Sequence, residues 1–224
     1  MHSNQRIIKK KILKPNKRSH SSHQWLSRQL NDPYVQMAQK LGFRSRAAFK
    51  LQEINEKFNI LKQGIKAVDL GCAPGGWLQV IHNSQRNPEN SFIIGIDLLE
   101  IPPFSGAHFI QGDFHDPLVV QKIFDIIDDQ KIDLVLSDMA ASTTGHPQID
   151  NLRTMALAES ALSFALKVLN SGGTFVTKFF RGAGDKDFEK TCLQHFSKCR
   201  FFKPQSSRKD SSEMYMVATG FKGI

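Results

Sequence analysis

From residue 67 to residue 220 the chain alternates short apolar runs with longer amphipathic stretches, and this alternation restricts the possible fold more than any other feature. The runs at 67–71, 92–98, 107–110, 132–137 and 173–179 are short and mostly apolar, so they read as buried strands. Helical stretches at about 76–84, 117–129 and 150–169 separate most of them. Strands joined through helices close as right-handed parallel crossovers, which predicts a doubly wound α/β domain. Two further runs, 200–203 and 214–220, have no helical crossover between them and read as an antiparallel hairpin. The expected sheet is therefore mostly parallel and seven-stranded, with an antiparallel last strand.

Ahead of the alternation, the pattern from Trp25 to Ile60 is helical, with starts at Asp32-Pro33 and at Ser45 before Arg46-Ala47-Ala48-Phe49-Lys50-Leu51. Residues 1–23 are polar and basic, so a disordered arm is expected there, followed by one domain over 24–224. Of the 30 lysines and arginines, eight fall before residue 32 with no acid among them, leaving 22 to face 21 acids. The excess charge is thus an arm and not a basic domain, and such an arm attracts polyanions such as RNA. It is lysine-rich and lacks the amphipathic arginine pattern of a mitochondrial presequence. No apolar run approaches the ~20 residues of a membrane span. Cys72, Cys192 and Cys199 form no CxxC pair, and the His20–His23 pair gathers no further ligands. No metal site and no disulfide framework is expected, and a reducing intracellular compartment fits best.

The strongest local signal is Val68-Asp69-Leu70-Gly71-Cys72-Ala73-Pro74-Gly75-Gly76-Trp77, a strand ending in an acid and a glycine-rich turn into a helix. Open α/β sheets bind ligands at that strand end, and glycines let the main chain approach closely. The GxGxxG fingerprint of dinucleotide binding is absent. Asp97 ends the next strand, where a carboxylate can accept from ribose hydroxyls, and Asp113 follows the third, where it can meet an adenine edge. Each could equally be a turn or capping aspartate. Three at successive strand ends describe an adenosine-bearing cofactor with no pyrophosphate to cradle. The fourth strand ends in Ser137-Asp138-Met139-Ala140, and Lys178 interrupts the apolar fifth, where a lysine is costly unless paired or snorkelling. Arg44 and Arg46, beside Lys50 on the early helix, are candidate phosphate contacts, with Lys203, Arg208 and Lys209 on the opposite wall.

Taken together, residues 69–77, Arg44 to Leu51, Ser137 to Ala140, Lys178, and Ser206-Ser207-Arg208 before Glu213 resemble the FtsJ/RrmJ family of ribosomal RNA large-subunit methyltransferases. The likeness runs from about residue 25 to residue 222. It implies a Rossmann-like class I fold and S-adenosyl-L-methionine as cofactor. It implies a catalytic tetrad that falls on Lys50, Asp138, Lys178 and Glu213, and cofactor contacts at Gly75, Trp77, Asp97, Asp113 and Asp138. The implied reaction is 2′-O-methylation of a uridine ribose in large-subunit ribosomal RNA, in the bacterial cytoplasm; separately, a monomer is expected. Two features depart from the family pattern: Ala141-Ser142 stands where Pro-Asn usually follows Ser-Asp-Met-Ala, and the pattern does not account for the arm before Ser19.

An activated sulfonium methyl needs a positioned nucleophile more than a metal, and a ribose hydroxyl must lose its proton as the methyl moves. Lys178 is the candidate base, with Asp138 and Glu213 orienting the two lysines; a carboxylate acceptor beside a charged Lys178 is the variant. Rival classes fit less well. A base-amino methyltransferase would want an aromatic after the fourth-strand acid, and a carbon-5 enzyme a free nucleophilic cysteine, whereas Cys72 sits in the cofactor turn. Nicotinamide chemistry lacks its pyrophosphate loop. A non-enzymatic RNA-binding factor would have no use for all four tetrad residues.

Overall fold

The computed structural model describes residues 20–142, 144–182 and 184–223. The basic segment 1–19 lies outside the described residues, as do the side chains of residues 20–25, the His20–His23 pair among them. Helix α1 (His20–Asn31) takes in the last four residues of the expected arm. Asp32 starts α2 (Pro33–Leu41), its carboxylate accepting from the amides of Tyr34 and Val35, and Pro33 has no amide left to satisfy. Helix α3 (Ala47–Phe58) begins two residues after Ser45, with no side-chain cap. Ser45 instead packs against Gly76 at the start of α4 (Gly76–Asn83), where an added Cβ would collide with its hydroxyl. Close packing of α3 on α4 has displaced the cap.

The strands β1 (Lys66–Leu70), β2 (Phe92–Asp97), β3 (His108–Gln111), β4 (Ile132–Ser137), β5 (Leu169–Phe180), β6 (Phe196–Phe202) and β7 (Glu213–Phe221) form one sheet in the order β3-β2-β1-β4-β5-β7-β6. The pairs β3/β2, β2/β1, β1/β4 and β4/β5 are parallel, and β7 runs antiparallel to both β5 and β6. The last strand therefore slots inside the sheet and leaves β6 at the edge. Helices α5 (Pro117–Ile127), α6 (Pro147–Val168) and α7 (Asp185–His195) complete the domain. The sequence pattern did not reveal α7, because Phe188 and Cys192 are its only buried residues. Polar Asn170 and Ser171 likewise hid the first residues of β5.

Side chains alternate between the two faces of a strand, so parity decides which residues meet. Val68, Leu70, Ile94, Ile96, Val135 and Phe175 join the core under α5, α6 and α7. Ala67, Ile93, Leu134, Leu136, Val176, Tyr215 and Val217 join a second core with residues of α3 and α4. Stepping by twos from this second set reaches Asp69, Asp97, Asp138, Lys178 and Glu213. All five thus belong to the α3–α4 face, at the edge where β1, β2, β4 and β5 end. Glu213 reaches that edge only because β7 is antiparallel, which sets its first residue opposite Phe180.

Candidate active site

Lys178 and Tyr215 are direct cross-strand partners in β5 and β7, so their side chains emerge together. The Tyr215 hydroxyl donates to Asp138 Oδ1 at 2.8 Å and accepts from Lys50 Nζ at 3.1 Å. Lys178 Nζ donates to the Asp138 main-chain carbonyl and lies 3.0 Å from Oδ1 of the same residue. Lys50 Nζ is 2.9 Å from each Glu213 carboxylate oxygen and 3.9 Å from Asp138 Oδ2. The Ser207 hydroxyl closes the chain by donating to Glu213 Oε1 at 2.8 Å. Two cations and two anions therefore alternate in a nearly buried row. The four residues expected as a tetrad come together, although Lys50 and Glu213 are 163 positions apart in the sequence.

Sequence reasoning did not single out Tyr215 or the link from Ser207. A fully buried tyrosine needs a partner for its hydroxyl, and Tyr215 shares a face with Glu213 two residues earlier; that parity was the available signal. Burial pushes the Tyr215 hydroxyl well above its ordinary range, and the Asp138 and Glu213 charges push it further, so it stays a donor. Burial acts on Asp138 in the same upward direction. The charges of Lys178 and Lys50, with the Tyr215 bond, outweigh it and hold the carboxyl below the usual carboxylate range.

At the ends of β1–β3 the bonding is different. The amides of Gly71 and Cys72 donate to the Ile96 carbonyl at 2.9 and 3.1 Å. Asp97 accepts from the amides of Ala73 at 2.8 Å and Leu99 at 2.9 Å, so it shapes the glycine loop directly. Gly71 has φ +78°, and an added Cβ would come within 2.8 Å of Met139; Gly75 has φ +100°. Both require glycine. Exposed Asp113 lies beside this end, since the amide of Gly112 donates to the Asp97 carbonyl. The amide and ring of His115 hold its carboxyl below the ordinary range. Trp77 is buried, its indole N–H donating to Ala47 and its ring packing on Tyr215, so any ligand contact falls to its main chain.

Asp69, under this loop, is fully buried, and neither of its carboxyl oxygens has a hydrogen-bond partner among the described residues. Burial drives its carboxyl well above the usual range, and Asp138 and Asp97 add to the shift. Burial, Asp69 and Asp97 also push the Cys72 thiol up, which leaves it inert as a nucleophile. The acidic side chain of Asp97 and a loop with no room for a Cβ at Gly71 suit a cationic ligand approached by main chain, and adenosylmethionine carries a sulfonium and an ammonium.

The expected RNA-facing cations are mostly engaged. Arg44 donates to the carbonyls of Pro102 at 2.8 Å and Pro103 at 2.7 Å and lies over Phe104. Arg46 is ion-paired with Asp32 and donates to the Ser206 carbonyl. Lys203 donates to the Ser211 carbonyl at 2.6 Å, and Arg208 to Gln29 at 3.3 Å. Of the five, Lys209 alone has no partner recorded among the described residues.

A doubly wound sheet with an acidic, glycine-rich ligand loop and an adjoining row of charged side chains defines a Rossmann-like class I methyltransferase. Residues 43–221 match the model of the FtsJ-like methyltransferases. The ribosomal RNA large subunit methyltransferase E of Acidiphilium cryptum is 51% identical over 202 residues, 90% of this chain and 88% of that protein. Its namesake from Hyphomonas neptunium is 46% identical over 220 residues, 98% and 92% of the two chains. A Plasmodium falciparum crystal structure, described as a ribosomal RNA methyltransferase, superposes with TM-score 0.72 at 33% identity, covering 81% of this chain and 100% of that one. The chain belongs to the FtsJ-like methyltransferase family, and fold and family together imply a site for adenosylmethionine.

Proposed function

We propose that this chain transfers a methyl group from adenosylmethionine to the 2′-hydroxyl of a uridine ribose in large-subunit ribosomal RNA, with Lys178 as general base. The observation that carries the reading is the convergence of Lys50, Asp138, Lys178 and Glu213 around the Tyr215 hydroxyl. Adenosylmethionine, when bound, supplies an already activated methyl, so the protein has to position the hydroxyl and take its proton. Asp97, Asp113, Asp138 and the main chain at Gly75 and Trp77 are the groups assigned to hold the cofactor. Asp138, kept ionised by its cationic neighbours, is too weak a base to be the acceptor. It grips Lys178 through both its carbonyl and its carboxylate and so aims the amine. Glu213 holds Lys50, whose ammonium holds the far oxygen of Asp138 in turn.

The RNA is assigned to the rim of this edge. Arg44 and Arg46 are proposed to present what remains of their guanidinium groups, and Lys209 its whole ammonium. A bacterial cytoplasmic monomer is the proposed acting form; among the described residues no helix is long and apolar enough to cross a membrane. The test is a map of 2′-O-methyl groups in ribosomal RNA from cells with and without the protein. One uridine of the large-subunit RNA should lose its methyl group, and an unchanged map would overturn the proposal.

A further inference from the structure

Three side chains of α3 or its start, Arg46, Lys50 and Glu53, lie at positions i, i+4 and i+7 and so form one stripe along the helix. Arg46 and Glu53 grip the connection between β6 and β7, and Lys50 grips the residue where β7 begins. Arg46 donates to the Ser206 carbonyl, and Lys50 pairs with Glu213. The Glu53 carboxylate accepts from two consecutive amides, Gln205 at 2.5 Å and Ser206 at 3.0 Å. The turn between them is closed by the Ser207 amide, which donates to Pro204 at 3.0 Å. Ser206 and Ser207 are buried, whereas residues 208–210 just beyond are exposed. The Ser207 hydroxyl then reaches Glu213.

We infer that Glu53 and Ser207 are positioning residues for the tetrad: Glu53 anchors the 204–207 turn on α3 so that the Ser207 hydroxyl fixes Glu213, and through Glu213 the ammonium of Lys50. This rests on the proposed function, because it concerns the same transfer step. A connecting loop is ordinarily the mobile part of an α/β domain. Here it carries a hydroxyl that must meet a carboxylate at one defined place. Charge-assisted bonds from two amides to one carboxylate are strong enough to hold it there. The contacts make a closed ring: α3 holds the turn, the turn holds Glu213, and Glu213 holds a lysine that sits on α3.

The test uses the full-length protein, large ribosomal subunits from cells lacking it as acceptor, and methyl-labelled adenosylmethionine. Ser207→Ala should lower kcat roughly tenfold, the scale of one hydrogen bond to a charged group, with KM for adenosylmethionine unchanged. Ser207→Thr keeps the hydroxyl and should restore most of the rate. Glu53→Gln should lower kcat by a similar factor. Because both act through one ring of contacts, the double variant should be little slower than Glu53→Gln alone. Wild-type kcat in Ser207→Ala, or fully multiplicative losses in the double variant, would overturn the inference. So would a loss confined to KM for the subunit, or no recovery in a Ser207→Thr protein whose Tm matches wild type. If the wild-type protein methylates nothing in this assay, the proposed function fails and takes the inference with it; an active wild type with an indifferent Ser207 overturns the inference alone.

Discussion

At the ends of β2 and β3 the acidic side chains bond to nearby main-chain amides, whereas at the ends of β4 and β5 and the start of β7 the charged side chains bond to one another. Asp97 takes the amides of Ala73 and Leu99, and Asp113 that of His115. Asp138, by contrast, is reached by Lys178, Lys50 and Tyr215, from three different elements. The first arrangement shapes a loop and can be altered locally. The second is a buried ionic row whose members depend on each other. Such a row is weak evidence for stability, because desolvation offsets much of the attraction. Its presence is better explained by the chemistry it serves.

The largest contrast is expected from Asp138→Ala, which strips two nearly buried lysines of their shared partner. Denaturant unfolding should show a loss of roughly 3–5 kcal/mol, the usual cost of breaking a buried pair, and methyl transfer should fall below detection. A stability within 1 kcal/mol of wild type, as an approximate bound on surface effects, would erase the distinction between the two regions. Asp69 belongs to neither pattern, since its carboxyl group is buried with no partner among the described residues. Its folded-state carboxyl holds a proton that the unfolded chain releases above about pH 3.9, so wild-type stability should fall as pH rises from there. The slope contributed is about 1.4 kcal/mol per pH unit until the folded-state group itself ionises. Asp69→Asn should lack this slope, so its unfolding free energy should gain on wild type as pH rises from about 4; parallel curves would contradict the assignment.

Asp97→Ala should loosen the glycine loop and leave the ionic row intact. Calorimetry should register at least about a tenfold loss of adenosylmethionine affinity, the scale of two lost charge-assisted bonds, with near-normal transfer at saturating cofactor. A slow step at saturation would show that the two regions are not separable. The smallest effect separates engaged from free cations on the rim. Lys209→Ala should reduce the salt slope of log RNA affinity by about 1 with Tm unchanged. Arg46→Ala should instead lower Tm, because it removes the guanidinium that ties Asp32 to the Ser206 carbonyl.

Strand-end acids were legible because three successive short apolar runs each finish at or near an acid, which has few other readings in an α/β chain. Lys178 was legible because a lysine is costly in an apolar run. Lys50 and Glu213 were not conspicuous alone and were identified only by family resemblance, since nothing local marks two residues that meet across 163 positions. Glu53 went unnoticed for the same reason, and Ser207 entered only as part of the family motif with no role attached, since both bind partners that only the fold supplies. Arg46 was legible as a cation beside Lys50, but its ion pair with Asp32 at the start of α2 was not, because the partner lies on another element. Helix α7 escaped because its apolar stripe is two residues wide.

The claim at the centre of this account is that Lys178 takes the proton, and the most direct test follows single-turnover methyl transfer against pH in wild type and Lys178→Arg. A general base makes the wild-type rate rise with pH, while the guanidinium variant, protonated at any workable pH, should be slower by roughly 10²–10⁴ with cofactor affinity unchanged. A Lys178→Arg protein with near-normal rates and the same pH profile would contradict it, leaving Lys178 a positioning cation and the proton acceptor elsewhere.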